Sequence, residues 1–548
     1  MLKSRRNALS PISYLPPEVF AVIFSFLCLP GNDIPGGKPD PRLFVSHVCR
    51  QWREISLNQP LLWSRIDFTS LSSAGVDEIL DRAKSAPLYL KINVSSHRWK
   101  KFRTFRKELQ TRIPDICHLR ISARSDLLQY TVEGLISPAP SLNHLSLSSC
   151  WGHGGSIMRR DNGQSSIPDT LFDSSTPRLS FLELCNCNIS WRSPLLKGLK
   201  HLKVFTPSAN SRPELALWLS ALDEMSQLTT LTLHLASPIA PPFPFHVERT
   251  VMLPSLKQLG LLASSEDCAL ALSHLDLPAL TSLSVTVQLL DTSEVEKLLP
   301  FVKRHANGPQ DALPLQCVLI RSTWDCADIL AWPVPNIDAK VTMYNLPTLL
   351  PEMLPTRVSL SFRSHNNDLT LEKGLEILDT ALACLPLDSL VMVDAHGLIN
   401  SWDASHFLTQ HFWCHLSPKW PLLQCVRLSV PAACGFLAML RDDNRERESP
   451  LLPSLTQLVM VNFPLTSLSL LPLVRDTLMK RMDQGVPVEI VDFRTCNPLL
   501  LVKDWLQSLS DIAVDVLGPD GSSDERFWAV VHDPFVENDH SELGSDEE

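Results

Sequence analysis

Apolar positions near the start of the chain recur at helical spacing. From Val19 to Leu27, Val19, Ile23 and Phe26 fall on one stripe, and Phe20, Phe24 and Leu27 on another. A helix that is apolar nearly all round must be buried on more than one side. The segment from Leu15 to Trp63 is too short to enclose it with its own core, so the pattern predicts a second protein as cover. Ser13 is a candidate cap, Pro16 or Pro17 fits a first turn, and Glu18 suits the positive end of the helix dipole. Between Leu29-Pro30 and Phe44 the run Gly31 to Pro41 is rich in glycine and proline and reads as a loop between helices.

Further along, the period shortens. The spacing Leu-x-x-Leu-x-Leu starts at Leu142, Leu179, Leu228, Leu256, Leu280, Leu315, Leu387, Leu423, Leu455 and Val488, with weaker copies at Ile116 and Leu199. Clear neighbouring copies start roughly 20 to 37 residues apart. The interval from 315 to 387 is longer, and Val358 with Leu360 marks a degenerate copy inside it. A proline stands just ahead of most copies (Pro140, Pro177, Pro254, Pro278, Pro314, Pro386, Pro453 and Pro487), which fits the entry to a strand. Each copy predicts one short strand with alternate residues inward. Helical runs near 213–219, 293–299 and 371–378 lie between them.

These residues carry two resemblances. Leu15-Pro16-Pro17-Glu18, Ile23-Phe24, Val48-Cys49-Arg50-Gln51-Trp52 and Leu62-Trp63 stand in the order of the F-box pattern. Over roughly the first 70 residues the chain resembles that family, in its fungal-type form, apart from the Gly31–Pro41 insertion. An ordinary helical hairpin opening a larger domain is the plainer alternative. The later spacing is similar to the leucine-rich repeat, and Cys150, Cys187 and Cys496 occupy its Asn/Cys position. The expected fold class is therefore α/β: a helical F-box, then a leucine-rich-repeat-like solenoid with a parallel sheet on its concave face. A non-repeating α/β domain is the alternative. The expected boundaries are 1–12 flexible N-terminus, 13–68 F-box, 69–530 solenoid and 531–548 disordered acidic tail.

Composition narrows the function. The chain has 548 residues, 44% hydrophobic and 20% charged, with formal net charge −10. It lacks the basic stripe of a nucleic-acid-binding protein. The basic run Arg98 to Lys107 reads as a solvated helix face with Trp99, Phe102 and Phe105 inward, or else as a dock for an acidic partner. The longest apolar run, Val19 to Leu29, is too short to span a bilayer and no signal-like segment stands out, so a cytoplasmic or nuclear location is expected. Fourteen cysteines then imply thiols, not a disulfide framework.

Candidate chemistry is sparse. Cys150, His153, Cys185 and Cys187 include metal-ligand types, but no Cys-x-x-Cys occurs and the repeat already accounts for Cys150 and Cys187. His411, Cys414 and His415 share a helical face among apolar neighbours and read as a packed amphipathic helix. No phosphate loop, nucleophile elbow or His-Glu-x-x-His is present. Asp442 to Glu448 reads as a solvated loop. No catalytic residue, cofactor or metal is expected.

The F-box resemblance implies a non-catalytic substrate receptor of a Skp–cullin–F-box ubiquitin ligase. Its partners would be a Skp-type adaptor, through it cullin and RING subunits, and a protein substrate, with no nucleic acid and no membrane. Adaptor contact is expected at Leu15, Pro16, Ile23, Phe24, Val48 and Cys49, with Trp52 and Trp63 holding the helices together. Outward positions in the repeats place substrate contact at Glu183, Phe205, His234, Arg321, Arg427, Asp492 and Arg494, in rows that include Ser146, Ser148, Thr232, Ser284 and Thr286 and carry no dominant charge. Two rivals remain open: an F-box scaffold without a ubiquitylated target, and a plain leucine-rich-repeat binding protein whose first helices cap the array.

Overall fold

The computed structural model describes residues 11–26, 41–68, 73–94, 106, 109–149, 165–206, 215–235, 249–289, 295–307, 312–322, 326–333, 356–364, 371–397, 408–441, 450–461, 470–493, 496, 509, 512 and 515–517. The Gly31–Asp40 stretch of the insertion, the basic run apart from Arg106, Cys150, His153, Asp442–Glu448, Arg494 and the acidic tail lie outside them. The chain forms two compact units, Met1–Val247 with Val251–Ser255, and Glu248–Thr250 with Leu256–Glu548.

The first unit opens with a 3-10 turn, Pro11–Tyr14, and helix α1, Pro17–Ser25. Pro17 stands in the first helical turn, where its missing N–H leaves no bond unmade, and Glu18 stands beside it. Ser13 is not the cap: Pro16 holds that position without a side-chain bond. Helices α2 (Pro41–Val48), α3 (Arg50–Leu57), α4 (Pro60–Trp63) and α5 (Ser73–Ala83) follow.

The sheet of this unit contains β1 (Arg65–Asp67), β2 (Leu88–Val94), β3 (Ile116–Ala123), β4 (His144–Ser149), β6 (Phe181–Cys185), β8 (His201–Thr206) and β9 (Thr230–Leu235). Each pairs in parallel with the next. A short parallel pair, β5 (Ser165–Ile167) with β7 (Cys187–Ile189), is separate. The repeat spacing is in register: Leu145 opposes Leu182 and Leu147 opposes Leu184, all buried. Helix α6 (Ser125–Val132) lies against β3 and β4, and α7 spans Leu215–Asp223.

The prolines ahead of the strands have a firmer role than strand entry. Leu142 N–H donates to Ala139 O, Leu179 to Thr176, Leu280 to Leu277, and Leu455 to Leu452. Each bond closes a four-residue turn whose second residue is Pro140, Pro177, Pro278 or Pro453. Proline's fixed φ suits that position. The turn delivers the first leucine of each copy inward, and all four leucines are buried.

The second unit contains β10 (Gln258–Ser264), β11 (Ser282–Leu289), β12 (Cys317–Ser322), β13 (Cys326–Trp332), β14 (Val358–Ser364), β15 (Met392–Gly397), β16 (Cys425–Ser429), β17 (Gln457–Val461), β18 (Ile490–Asp492) and β19 (Asp515–Leu517). Here the expected all-parallel sheet is corrected. Strand β13 is antiparallel to both β12 and β14, and β14 pairs with β11, so the long middle interval reverses the spatial order of strands. Only three residues separate β12 from β13, enough for a hairpin and too few for a parallel crossover. The remaining pairs are parallel.

Among its described residues the unit also contains helices α8 (Ser265–Ser273), α9 (Val295–Asn307), α10 (Leu371–Ala383), α11 (Gln410–Leu416), α12 (Val430–Arg441) and α13 (Leu470–Asp483). Trp413 is fully buried, edge-on to Phe436 at 5.1 Å and to Trp420 at 6.3 Å. A Cβ at Gly435 would collide with the Leu408 carbonyl oxygen, so glycine sets how close α12 comes.

Candidate functional site

Helix α1 divides its apolar residues between two faces. Phe20 and Phe24, one turn apart, are buried, with ring centroids 5.4 and 5.2 Å from Trp52 of α3. Val19, Val22, Ile23 and Phe26 lie at i, i+3, i+4 and i+7, so they share one face, and all four are exposed, Val22 by 58% and Ile23 by 41%.

Helix α2 is inverted relative to an ordinary surface helix. Its polar residues Arg42 and Ser46 point inward and are buried, while Leu43, Phe44 and Val48 point outward, Phe44 57% exposed and Val48 54%. Apolar surface in water costs about 25 cal/mol per Å², and a face of this kind marks a contact surface. Arg42 has a reason to be inside. Its guanidinium donates to Leu62 O at 3.4 Å and to Arg65 O, tying α2 to the end of α4 and to the first strand.

The same end is locked further. Trp63 is fully buried, its indole N–H donates to Ser56 O at 2.7 Å, and Arg82 of α5 lies 4.7 Å from its ring centroid. Tyr89 N–H donates to Ser64 O and Phe68 N–H to Lys91 O, both at 2.9 Å. The helices therefore run into the sheet through a bonded junction and not a linker.

Among the residues expected at the adaptor contact, Pro16, Ile23 and Val48 are exposed and Leu15 is half-buried. Phe24 is corrected. At 1% exposure it belongs to the interior under Trp52 and has no surface to offer. Cys49 is half-buried, and its sulfur caps α3 by accepting from Trp52 N–H at 3.4 Å. Sequence reasoning missed Val22, Leu43 and Phe44. The signal was present in α2, where apolar residues recur while Arg42 and Ser46 share the opposite face one turn apart.

The open face of the first unit's sheet carries a feature that repeat counting also missed. Tyr89, His118, His144, Phe181 and His201 occupy one register row across five strands. Their rings stack at 4.6, 4.8 and 3.9 Å, then tilt at 5.8 Å between Phe181 and His201. Arg65 closes one end, 5.1 Å from the Tyr89 centroid. Burial holds the His144 imidazole down at about 4. It also lowers His118, with Arg65 adding to the effect, so both rings are neutral at pH 7. In the next row Glu183 accepts from Ser146 Oγ at 2.6 Å and lies 3.9 Å from Arg120. Beyond it, Phe205 and His234 meet edge to face at 4.3 Å.

In the second unit the expected contact residues separate. Arg321 is exposed and grips the buried Asp328, Nε at 2.7 Å and Nη2 at 2.6 Å. Arg427 and Asp492 are corrected: both are buried and cannot meet a partner from the surface. The sheet face they share is filled by Cys317, Met392 and Cys425 packed with Trp332 and Val459. Arg427 Nη1 lies 3.2 Å from Asp394 Oδ2, and His396 Nε2 lies 2.6 Å from Asp394 Oδ1. Burial opposes ionisation of Asp394, but these two neighbours outweigh it and hold its carboxyl below the usual carboxylate range.

Two buried thiols sit where the repeat spacing puts its Asn or Cys. Cys187 donates to Cys185 O at 3.3 Å and Cys496 to Met460 O at 3.2 Å. His415 Nδ1 pairs with Asp379 Oδ1 at 2.6 Å. Among the described residues no group of three or more His, Cys, Asp or Glu is placed to hold a metal, and no helix is long and apolar enough to cross a membrane.

Residues 12–69 match the family model described as F-box-like, a module that binds Skp-type adaptors. The match begins just before α1 and ends just after β1, so it takes in the inverted helix and the junction. No curated protein matches the chain.

Proposed function

We propose that this protein is the substrate-recognition subunit of a Skp–cullin–F-box type ubiquitin ligase. The observation that carries the reading is the outward apolar face of α1 and α2, formed by Val19, Val22, Ile23, Phe26, Leu43, Phe44 and Val48 inside the F-box-like segment. A Skp-type adaptor is the partner that covers this face. Had the first helices only capped an array of repeats, the chain itself would cover the apolar residues, whereas here they are exposed.

The strand-and-turn array behind the module is read as leucine-rich-repeat-like, with the open face of the first unit's sheet as the substrate platform. The chain supplies no nucleophile or general base in this account. It works by proximity, since two binding surfaces on one body raise the effective concentration of a substrate lysine beside the charged E2 held by the cullin and RING subunits. The bonded junction at Arg42, Trp63 and Ser64 supports this, because a fixed platform loses less to linker entropy than a tethered one.

The test is co-expression with a Skp-type adaptor and pull-down of wild type, the Leu15→Ala/Pro16→Ala double variant and Ile23→Asp. The reading expects a stoichiometric complex with wild type that both variants weaken. A folded wild type that captures no adaptor overturns it.

A further inference from the structure

The open face of the first unit's sheet offers a partner a specific chemistry. Stacked rings turn their π faces to one another, and the ring ladder does so from Tyr89 to Phe181. A ligand ring therefore finds no free π face between them. What remains is a line of ring edges, of which the C–H edges of Tyr89 and Phe181 are the electropositive part of the quadrupole.

The fixed charges have the same sign. The ladder row and the row beside it bear four cations, Arg65, Lys91, Arg120 and Lys203, against two carboxylates, Asp67 and Glu183. Glu183 is already engaged by Ser146 and Arg120. This face is net positive on a chain of net charge −10. Because the histidines are neutral near pH 7, the field comes from the arginines and lysines and persists above pH 7.

We propose that this face binds an extended acidic segment of a protein, its carboxylates meeting Arg120 and Lys203 and its backbone running across the strands over the ring edges. The proposal rests on the reading of this sheet as a substrate platform and names the class of substrate. Nucleic acid is disfavoured because base recognition on an open sheet uses exposed aromatic faces, and along the ladder from Tyr89 to Phe181 those faces are taken.

The experiment uses the full chain and three fluorescein-labelled probes: the peptide (Glu-Ser)5, its counterpart (Gln-Ser)5 and a single-stranded oligouridine. Anisotropy is read at low and high salt for wild type, Arg120→Gln/Lys203→Gln and Arg120→Glu/Lys203→Glu. The expected result is binding of the acidic peptide, weakened by salt, with affinity reduced about tenfold by neutralisation and lost on reversal. Thermal melting and adaptor capture of the same variants are expected to match wild type, which separates a lost site from a lost fold. The proposal is overturned if wild type does not bind the acidic peptide, binds the glutamine peptide equally, prefers the oligouridine, or if the folded charge-reversed chain binds as wild type does. Adaptor capture reports on the outward face of α1 and α2 alone, so failure there and failure here are distinguishable.

Discussion

The ring of Phe24 lies 5.2 Å from that of Trp52 and is shut inside the helical module, while its neighbour Ile23, about 100° round the same helix, is exposed. One dipeptide therefore divides two tasks. Phe24 holds α1 to α3, and Ile23 belongs to the exposed apolar face proposed to meet the adaptor.

Phe24→Ala is expected to lower stability by about 3 kcal/mol, the usual effect of emptying a buried phenylalanine site. Ile23→Ala is expected to change stability by less than about 1 kcal/mol, because its side chain is already in contact with water. Urea denaturation of the two variants measures both values. Equal destabilisation would contradict the division of roles.

Arg427→Ala is expected to destabilise the second unit by about 3 kcal/mol, since it leaves Asp394 buried with a diminished set of counter-charges. Arg427→Lys recovers only part of this, because an ammonium replaces a planar donor with a point charge. Denaturant melts of the two variants give the comparison.

Arg481 is nearly fully buried and donates to three carbonyls, Leu451 O at 2.8 Å, Leu452 O at 3.0 Å and Leu455 O at 3.4 Å. It thereby holds the turn that starts the Leu455 copy. Burial lowers its pKa to about 10, still far above neutral pH, so it stays charged. Arg481→Ala leaves buried acceptors unpaired, and an expected loss of about 3 kcal/mol follows. Hydrogen exchange should show the extra opening first at the amides of β17.

Acidification is expected to destabilise the first unit. The folded His144 pKa is about 4 against 6.5 for the free side chain. Between those values the unfolded chain binds more protons, so stability is present above pH 6.5 and is lost as pH falls toward 4. His305 of α9 follows the same sign in the second unit, also held near 4 by burial. His144→Phe keeps a ring in the stack but removes its proton site. Its melting temperature is expected to fall less steeply over this window than that of wild type.

Much of the fold was legible because the repeat spacing is a direct record of burial. Leu145, Leu182 and Leu202 are inward on neighbouring strands and stand in register. The reversal at β13 was not legible, since a hairpin there needs only a short connection and leaves the apolar spacing of β12 intact. The ring ladder escaped for a different reason. Tyr89, His118, His144 and Phe181 are far apart in the chain, and only strand register aligns them. Arg427 and Asp492 were misplaced because alternation tells which face a residue occupies, but not whether that face is filled.

Titration calorimetry of the purified chain with a Skp-type adaptor, comparing wild type with Val22→Asp and Phe44→Asp, probes the outward apolar face itself. Both positions are more than half exposed, so the variants are expected to melt as wild type does. One adaptor is expected per wild-type chain, with a negative heat-capacity change from apolar burial and affinity lowered by at least about tenfold in each variant. Unchanged affinity in both variants, or no heat with folded wild type, would contradict adaptor docking on this face.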